Sequence, residues 1–203
     1  MKIDAGEYSE WLSGFLSTME GNSPGDVPCG SCAGCCTSSK FILVRPTDKK
    51  AKSLIPKELL FPVPGLPKGF LLMGYDGNGH CPMFKNYKCT IYSSRPETCR
   101  QYDCRVLSAT GASTKEESAD IANRIDAWEF SYESAESEKK ALAVKAFFEF
   151  LKTHAELFPD DYLPKTDSQL SAIAARIYRE FLEEQKFTLE TLLERITSNY
   201  PNG

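Results

Sequence analysis

Between Tyr8 and Met19 the apolar side chains Tyr8, Trp11, Leu12, Phe15, Leu16 and Met19 recur three and four residues apart. That spacing lays them along one face of a helix and predicts an amphipathic helix over residues 7–20. Gly21-Asn22-Ser23-Pro24-Gly25 stops it. Downstream the apolar runs shorten. Phe41-Ile42-Leu43-Val44 has strand length, and Gly69-Phe70-Leu71-Leu72-Met73-Gly74 predicts a second strand. Between them Thr47 or Asp48 is placed to cap a short helix that reaches Leu54 and ends before Pro56. Three prolines in Phe61-Pro62-Val63-Pro64-Gly65-Leu66-Pro67 remove backbone donors, so no regular structure is expected there. Asp76-Gly77-Asn78-Gly79 has turn composition, and residues 81–91 are expected to fold as a hairpin around Lys85-Asn86-Tyr87-Lys88.

Beyond residue 114 prolines and glycines thin out and cysteines stop. Helices are predicted over residues 115–135, 137–157, 167–185 and 188–197. Phe147, Phe148, Leu151, Ile173, Ile177, Phe181, Leu189, Leu192 and Leu193 are their natural core positions. The fold class expected is α+β and mostly α-helical. It comprises an N-terminal helix and linker (1–28), a cysteine-cluster region with short strands (29–106) and a helical region (107–203), packed together as one globular unit.

Composition changes this picture little. With 41% hydrophobic and 26% charged residues, the chain of 203 residues can bury a core, so wholesale disorder is excluded. No run approaches the roughly 18 apolar residues that a membrane span needs. The N-terminus carries acids early and does not read as a secretory signal, so a cytoplasmic protein is expected.

Charge is unevenly spread. Residues 29–105 hold 12 Lys+Arg against 5 Asp+Glu, whereas residues 106–203 hold 11 against 18. A basic stretch suits nucleic acid. It also suits thiolates, whose negative charge nearby cations stabilise. The second explanation is preferred, and nucleic acid is not expected as a partner.

All eight cysteines lie between Cys29 and Cys104. Cys29, Cys32, Cys35 and Cys36 form one local group, and small residues between them let a loop wrap an ion. Cys81, Cys89, Cys99 and Cys104 are spaced so widely that only tertiary folding can gather them. A reducing cytosol argues against disulfides. A thioredoxin-like dithiol would need a βαβ context that is missing around Cys29. Ligation of zinc or iron by Cys29, Cys32, Cys35, Cys36, Cys81, Cys89, Cys99 and Cys104 is therefore expected. Two four-sulfur zinc sites, a thiolate-bridged cluster and an iron–sulfur cluster all remain open. Cys35 and Cys36 cannot easily face one ion from extended backbone. His80, Arg95, Arg100, Tyr102 and Asp103 form a polar set near these cysteines in sequence. Arg95 and Arg100 are read first as support for thiolates, and His80 and His154 as structural residues.

The pattern Cys29-x-x-Cys32-x-x-Cys35-Cys36, then Cys81-Pro82, then Cys89-x-Ile91-Tyr92-x-x-Arg95-Pro96-x-x-Cys99-Arg100-x-Tyr102-x-Cys104 resembles the CxxCxxCC cysteine-cluster family of zinc- or iron-chelating domains. The resemblance covers residues 29–104 and implies metal chelation by the eight cysteines. The cysteine motif is also similar to that of flagellin lysine methylases, which implies an iron–sulfur cluster. No glycine-rich loop for a methyl donor follows a strand here. The reading is thus a metal-binding protein with a structural or storage-like metal. The alternatives are an iron- or iron–sulfur-dependent enzyme, such as a protein-modifying methylase, and a zinc-based nucleic-acid or protein interaction module. The protein or small-molecule partner is not legible.

Overall fold

A computed structural model describes residues 2–25, 27–159, 162–182 and 189–199. In chain order its elements are β1 (Ile3–Glu7), α1 (Tyr8–Met19), β2 (Ile42–Val44), α2 (Lys49–Leu54), β3 (Leu60–Pro62), β4 (Leu71–Met73), β5 (Phe84–Lys85) and β6 (Lys88–Cys89). There follow α3 (Glu97–Gln101), α4 (Arg105–Thr110), α5 (Ala119–Ala127), β7 (Trp128–Ser131), α6 (Ala135–Thr153), α7 (Asp167–Ile177) and α8 (Leu189–Asn199). The fold is α+β and mostly helical, as the apolar periodicities predict. No helix among the described residues is long and apolar enough to cross a membrane.

The chain divides into two compact units. The first takes residues 1–16, 104–115 and 125–203. Its core joins Phe147, Phe148 and Leu151 of α6 to Leu170, Ile173, Ala174 and Ile177 of α7 and Ile196 of α8. Phe181, Leu192 and Leu193 pack against this core partly buried, and the side chain of Leu189 lies outside the described residues. Ser134 caps α6 by accepting the Ser137 N–H at 3.1 Å, and Thr166 caps α7 by accepting from Gln169. A buried hydrogen bond of 2.8 Å between Thr110 and Ser171 ties α4 to α7.

In the same unit β1 and β7 pair in parallel, Ile3 opposite Trp128 and Glu7 opposite Ser131, with a bulge between Asp4 and Gly6. The single long helix expected over 115–135 is therefore two elements. Helical spacing ends at Ala127, and Trp128-Glu-Phe130-Ser alternates in strand fashion. Its partner is more than 100 residues away in sequence, so no local pattern announces it. Beside this pair, the rings of Tyr8, Trp11 and Phe130 meet edge-on or tilted at 4.8–5.3 Å. The helix expected over 167–185 gives way at Tyr178 to a 3-10 turn through Phe181, and its last three positions lie outside the described residues.

The second unit takes residues 17–103 and 116–124. A three-stranded antiparallel sheet runs β2-β4-β3, and β5 with β6 makes a hairpin. Asn86 and Tyr87 at the hairpin tip both have positive φ, 51° and 58°, which suits a two-residue turn matched to strand twist. Val44, Ala51, Ile55, Met73, Met83 and Ile91 form the core. The proline-rich stretch is not wholly irregular. Leu60–Pro62 is an edge strand against β4, where a proline without an N–H is tolerated.

Tyr8 is fully buried, and its hydroxyl has no hydrogen-bond partner among the described residues. Tyr8→Phe should therefore raise unfolding stability by about 1–2 kcal/mol, measured by urea titration. Burial also pushes the Tyr8 phenol above its ordinary value near 10. Below that value the phenol is neutral in both states and does not make stability pH-dependent, whereas above it only the unfolded phenol ionises and stability falls as pH rises. The variant should show a shallower loss of stability between pH 10 and 11 than the parent protein.

Candidate metal centre

The cysteine unit is built from a loop, a hairpin and a short helix. The loop carries Cys29, Cys32, Cys35 and Cys36. Cys32 N–H donates to Cys29 O at 2.9 Å, and Cys36 N–H to Ala33 O at 2.7 Å, so the chain winds in successive tight turns. The second turn is a 3-10 helix over Gly34–Cys36. A side chain at Gly34 would stand 3.0 Å from Ile121 Cγ1 and 3.2 Å from Ile121 N, so only glycine lets the turn lie against α5 there. This geometry exposes Cys35 and leaves Cys36 half-buried.

The hairpin carries Cys81 and Cys89. Cys81 N–H donates to Cys36 O at 2.7 Å, which joins the hairpin to the loop. Both hairpin cysteines pack, partly buried, against the core of this unit. The helix α3 carries Cys99 directly after Pro96. Its position depends on Asp48, whose side chain is 2% exposed. Asp48 stands at the N-cap of α2, as its sequence position predicts, but its carboxylate reaches elsewhere. It accepts the Arg45 N–H at 2.8 Å and the Glu97 N–H at 2.9 Å. Arg100 Nη2 lies 3.7 Å from the same carboxylate. Thr98 Oγ1 donates to Leu43 O at 2.8 Å, and Arg45 pairs with Glu97 at 2.9 Å, so α3 is fastened to β2 at several points.

Seven cysteines thus lie in the second unit, and Cys104 belongs to the first. Among the seven, Cys36, Cys81, Cys89 and Cys99 share one electrostatic neighbourhood. Burial, then the neighbouring thiols, push Cys36 and Cys99 up to about 12, while Arg95 opposes the shift. Burial also raises Cys81, and the N–H groups of Met83 and Phe84 oppose it. Cys29 is raised by burial and by Cys32, with Arg124 and Arg95 acting against this. None of the eight cysteines is in a disulfide. Cys104 is buried at the start of α4 and accepts a hydrogen bond from Trp128 Nε1 at 3.2 Å.

The cations sort into two groups. Lys40, Arg45 and Arg100 meet the carboxylates of Glu117, Glu97 and Asp48. Arg95 and Arg124 instead stand beside thiols. Arg95 donates from Nη2 to Gly25 O at 2.9 Å and stacks 3.9 Å from the centre of the Tyr92 ring. Its Nε–H is buried without a hydrogen-bond partner. Arg124 donates to Cys29 O at 2.6 Å. Arg124 lies 95 residues from Cys29 in sequence, inside a predicted helix, and no sequence signal singles it out.

The polar set read from the sequence is used in separate places. Arg100 also donates to Arg95 O at 2.9 Å, and Asp103 lies in the surroundings of Cys29. Lys40 Nζ sits 6.0 Å from the Tyr102 ring centre. His80 closes the Asp76 turn, where Asp76 Oδ1 accepts its N–H at 3.0 Å, and its ring meets Phe84 edge-on. His154 stacks on Phe150 at the end of α6 and bonds Thr153 Oγ1 at 2.8 Å.

The donor set suits a soft cation. Thiols gathered on a small core, two arginines beside them and a buried N–H without an acceptor are what metal-bound sulfurs would satisfy. Among the described residues, however, no three His, Cys, Asp or Glu side chains stand close enough to hold an ion. Residues 28–123 match the family model CxxCxxCC, described as a putative zinc- or iron-chelating domain. No curated protein and no solved structure matches the chain.

Two substitutions test this framework. Asp48→Ala leaves two backbone N–H groups and Arg100 without their acceptor, and should cost about 3 kcal/mol of unfolding free energy in urea. Gly25→Ala would place a Cβ 1.9 Å from Arg100 O, so it should lower the melting temperature of the metal-free protein in a calorimetric scan.

Proposed function

We propose, from the match of residues 28–123 to the CxxCxxCC family model, that the protein binds zinc or iron through its cysteines, with the metal in a structural or storage-like role. The ligand set proposed is Cys29, Cys32, Cys35, Cys36, Cys81, Cys89, Cys99 and Cys104. The observation that carries the reading is the family match over the cysteines, together with the half-buried thiols Cys36 and Cys99, which both have Arg95 and other thiols in their surroundings. When bound, the metal supplies positive charge that takes the place of the thiol protons. The chain's own part is to bring the sulfurs near one another, to hold Arg95 and Arg124 beside them, and to pack Cys81 and Cys89 against the apolar core of the unit.

A structural role follows from the size of the second unit. Its strands are two or three residues long, and its core has six buried residues. So small a core supports little stability without a cross-link, and a metal held by residues distant in sequence is one. A reducing compartment such as the cytoplasm is the proposed setting, because ligation needs the thiols unoxidised.

Protein purified without air should carry zinc or iron by elemental analysis. A visible chromophore would mark an iron–sulfur cluster, and a featureless visible spectrum with zinc would mark thiolate sites. Metal-free protein with oxidised thiols from such a preparation would sink the proposal. Adding chelator should speed amide exchange in residues 29–103 while amides of α6 around Phe147 keep their protection. Loading zinc into the metal-free protein should release protons, since Cys36 and Cys99 are protonated at neutral pH. Apparent affinity should therefore rise with pH, by up to about tenfold per unit for each thiol displaced.

A further inference from the structure

We propose that Cys29 and Cys32 form a thiol–disulfide exchange site, closing reversibly into a disulfide across the turn Cys29-Gly30-Ser31-Cys32, with a low-molecular-weight disulfide as co-reactant. The inference uses no bound ion and stands apart from the metal-binding reading. Among the described residues no three side chains meet to hold an ion, but exchange needs only two sulfurs. The backbone brings one pair into position for it.

Cys32 N–H donates to Cys29 O at 2.9 Å, so the four residues make a hydrogen-bonded β-turn. Such a turn keeps its first and last Cα atoms within about 7 Å. A disulfide needs them about 4.4–6.8 Å apart, so closure asks for side-chain rotation and little movement of the chain. Gly30 has a φ of 57°, in the left-handed region that glycine enters without strain. The Cys29 carbonyl also accepts from Arg124 at 2.6 Å, which fixes the turn to α5. Both thiols are half-buried and open to a small reagent. After burial, Cys32 is the foremost influence raising the Cys29 thiol, in keeping with two neighbouring sulfurs.

Other pairs are placed less well. Cys32 and Cys35 have the same spacing, but no turn spans them. The chain leaves the first turn at Cys32, and the 3-10 helix begins only at Gly34. Adjacent Cys35 and Cys36 have Cα atoms about 3.8 Å apart, below the range a disulfide adopts. Across the hairpin Cys89 faces Phe84, not Cys81.

In the forward direction one thiolate of the pair attacks a sulfur of the co-reactant. That S–S bond breaks, and a thiolate leaves and takes up a proton. The second cysteine gives up its proton, attacks the sulfur now carrying the adduct and expels the other thiolate, which is protonated in turn. Two protein thiols are oxidised and one disulfide is reduced to two thiols. The turn makes the second step intramolecular, so the adduct is short-lived.

The test uses the full-length, reduced, metal-free protein in glutathione buffers of rising disulfide fraction, without air. Acid quenching, alkylation of the remaining thiols and fragment-ion mapping identify the first bond formed. Cys29–Cys32 should exceed every other protein disulfide at least about tenfold, with little glutathione left on either cysteine. A different first disulfide, or a lasting glutathione adduct at Cys29 or Cys32, would overturn the inference. Zinc binding by the same preparation would leave the metal-binding reading standing in that case. Gly30→Val retains all eight thiols, and no atom lies within 4 Å of a Cβ built there, so its effect comes through the backbone. It should shift half-oxidation of the pair at least about tenfold toward the oxidised buffer and let the adduct accumulate. An unchanged midpoint would also count against the turn and overturn the proposal. The mapping uses the unaltered chain and decides the matter where the variant fails to fold.

Discussion

One buried carboxylate holds the cysteine unit in register. Asp48 joins the turn at Arg45, the start of α3 and the guanidinium of Arg100, three points that the sequence spreads over more than fifty residues. Cysteine side chains are short, so a thiol can be aimed only by aiming its backbone. The hairpin does this for Cys81 and Cys89 through strand pairing. For Cys99 no strand is available, and the work falls to the carboxylate and to Thr98. Gly25 contributes from the other side, since its carbonyl accepts from Arg95 and its Cα lies against the Arg100 carbonyl.

A second constraint is electrical. Thiols on an apolar floor resist ionisation, and several together resist it more. Arg95 and Arg124 offset part of this. The basic character of residues 29–105 thus divides by use. Some cations hold the fold together through Glu97, Glu117 and Asp48, and Arg95 and Arg124 act on the thiols.

What could be read from the sequence follows the range of the interactions concerned. Helix α1, the strands at Ile42–Val44 and Leu71–Met73, the turn at Asp76 and the hairpin at Cys81–Ile91 are all local patterns, and all appear where periodicity and turn composition place them. The buried faces of α6 and α7 were legible for the same reason. The pairing of β1 with β7 was not, because parallel strands require partners that no neighbouring residue reveals. The edge strand Leu60–Pro62 was hidden by its own prolines. In the candidate site the cysteines announce themselves as chemistry, but their grouping does not. Arg124 and Ile121 reach the loop from a helix whose local sequence speaks only of amphipathicity.

The interleaving of the two units orders events in time. The first unit cannot be completed until Trp128–Ser131 exists to receive Ile3–Glu7, and its helical core comes later still. All of the second unit, residues 17–103 and 116–124, is synthesised before that strand. A chain emerging from its N-terminus therefore presents all seven thiols of this unit while its first strand still lacks a partner. Its sheet and its hairpin can thus form while the strand that begins the chain is still waiting for the residues that will pair with it.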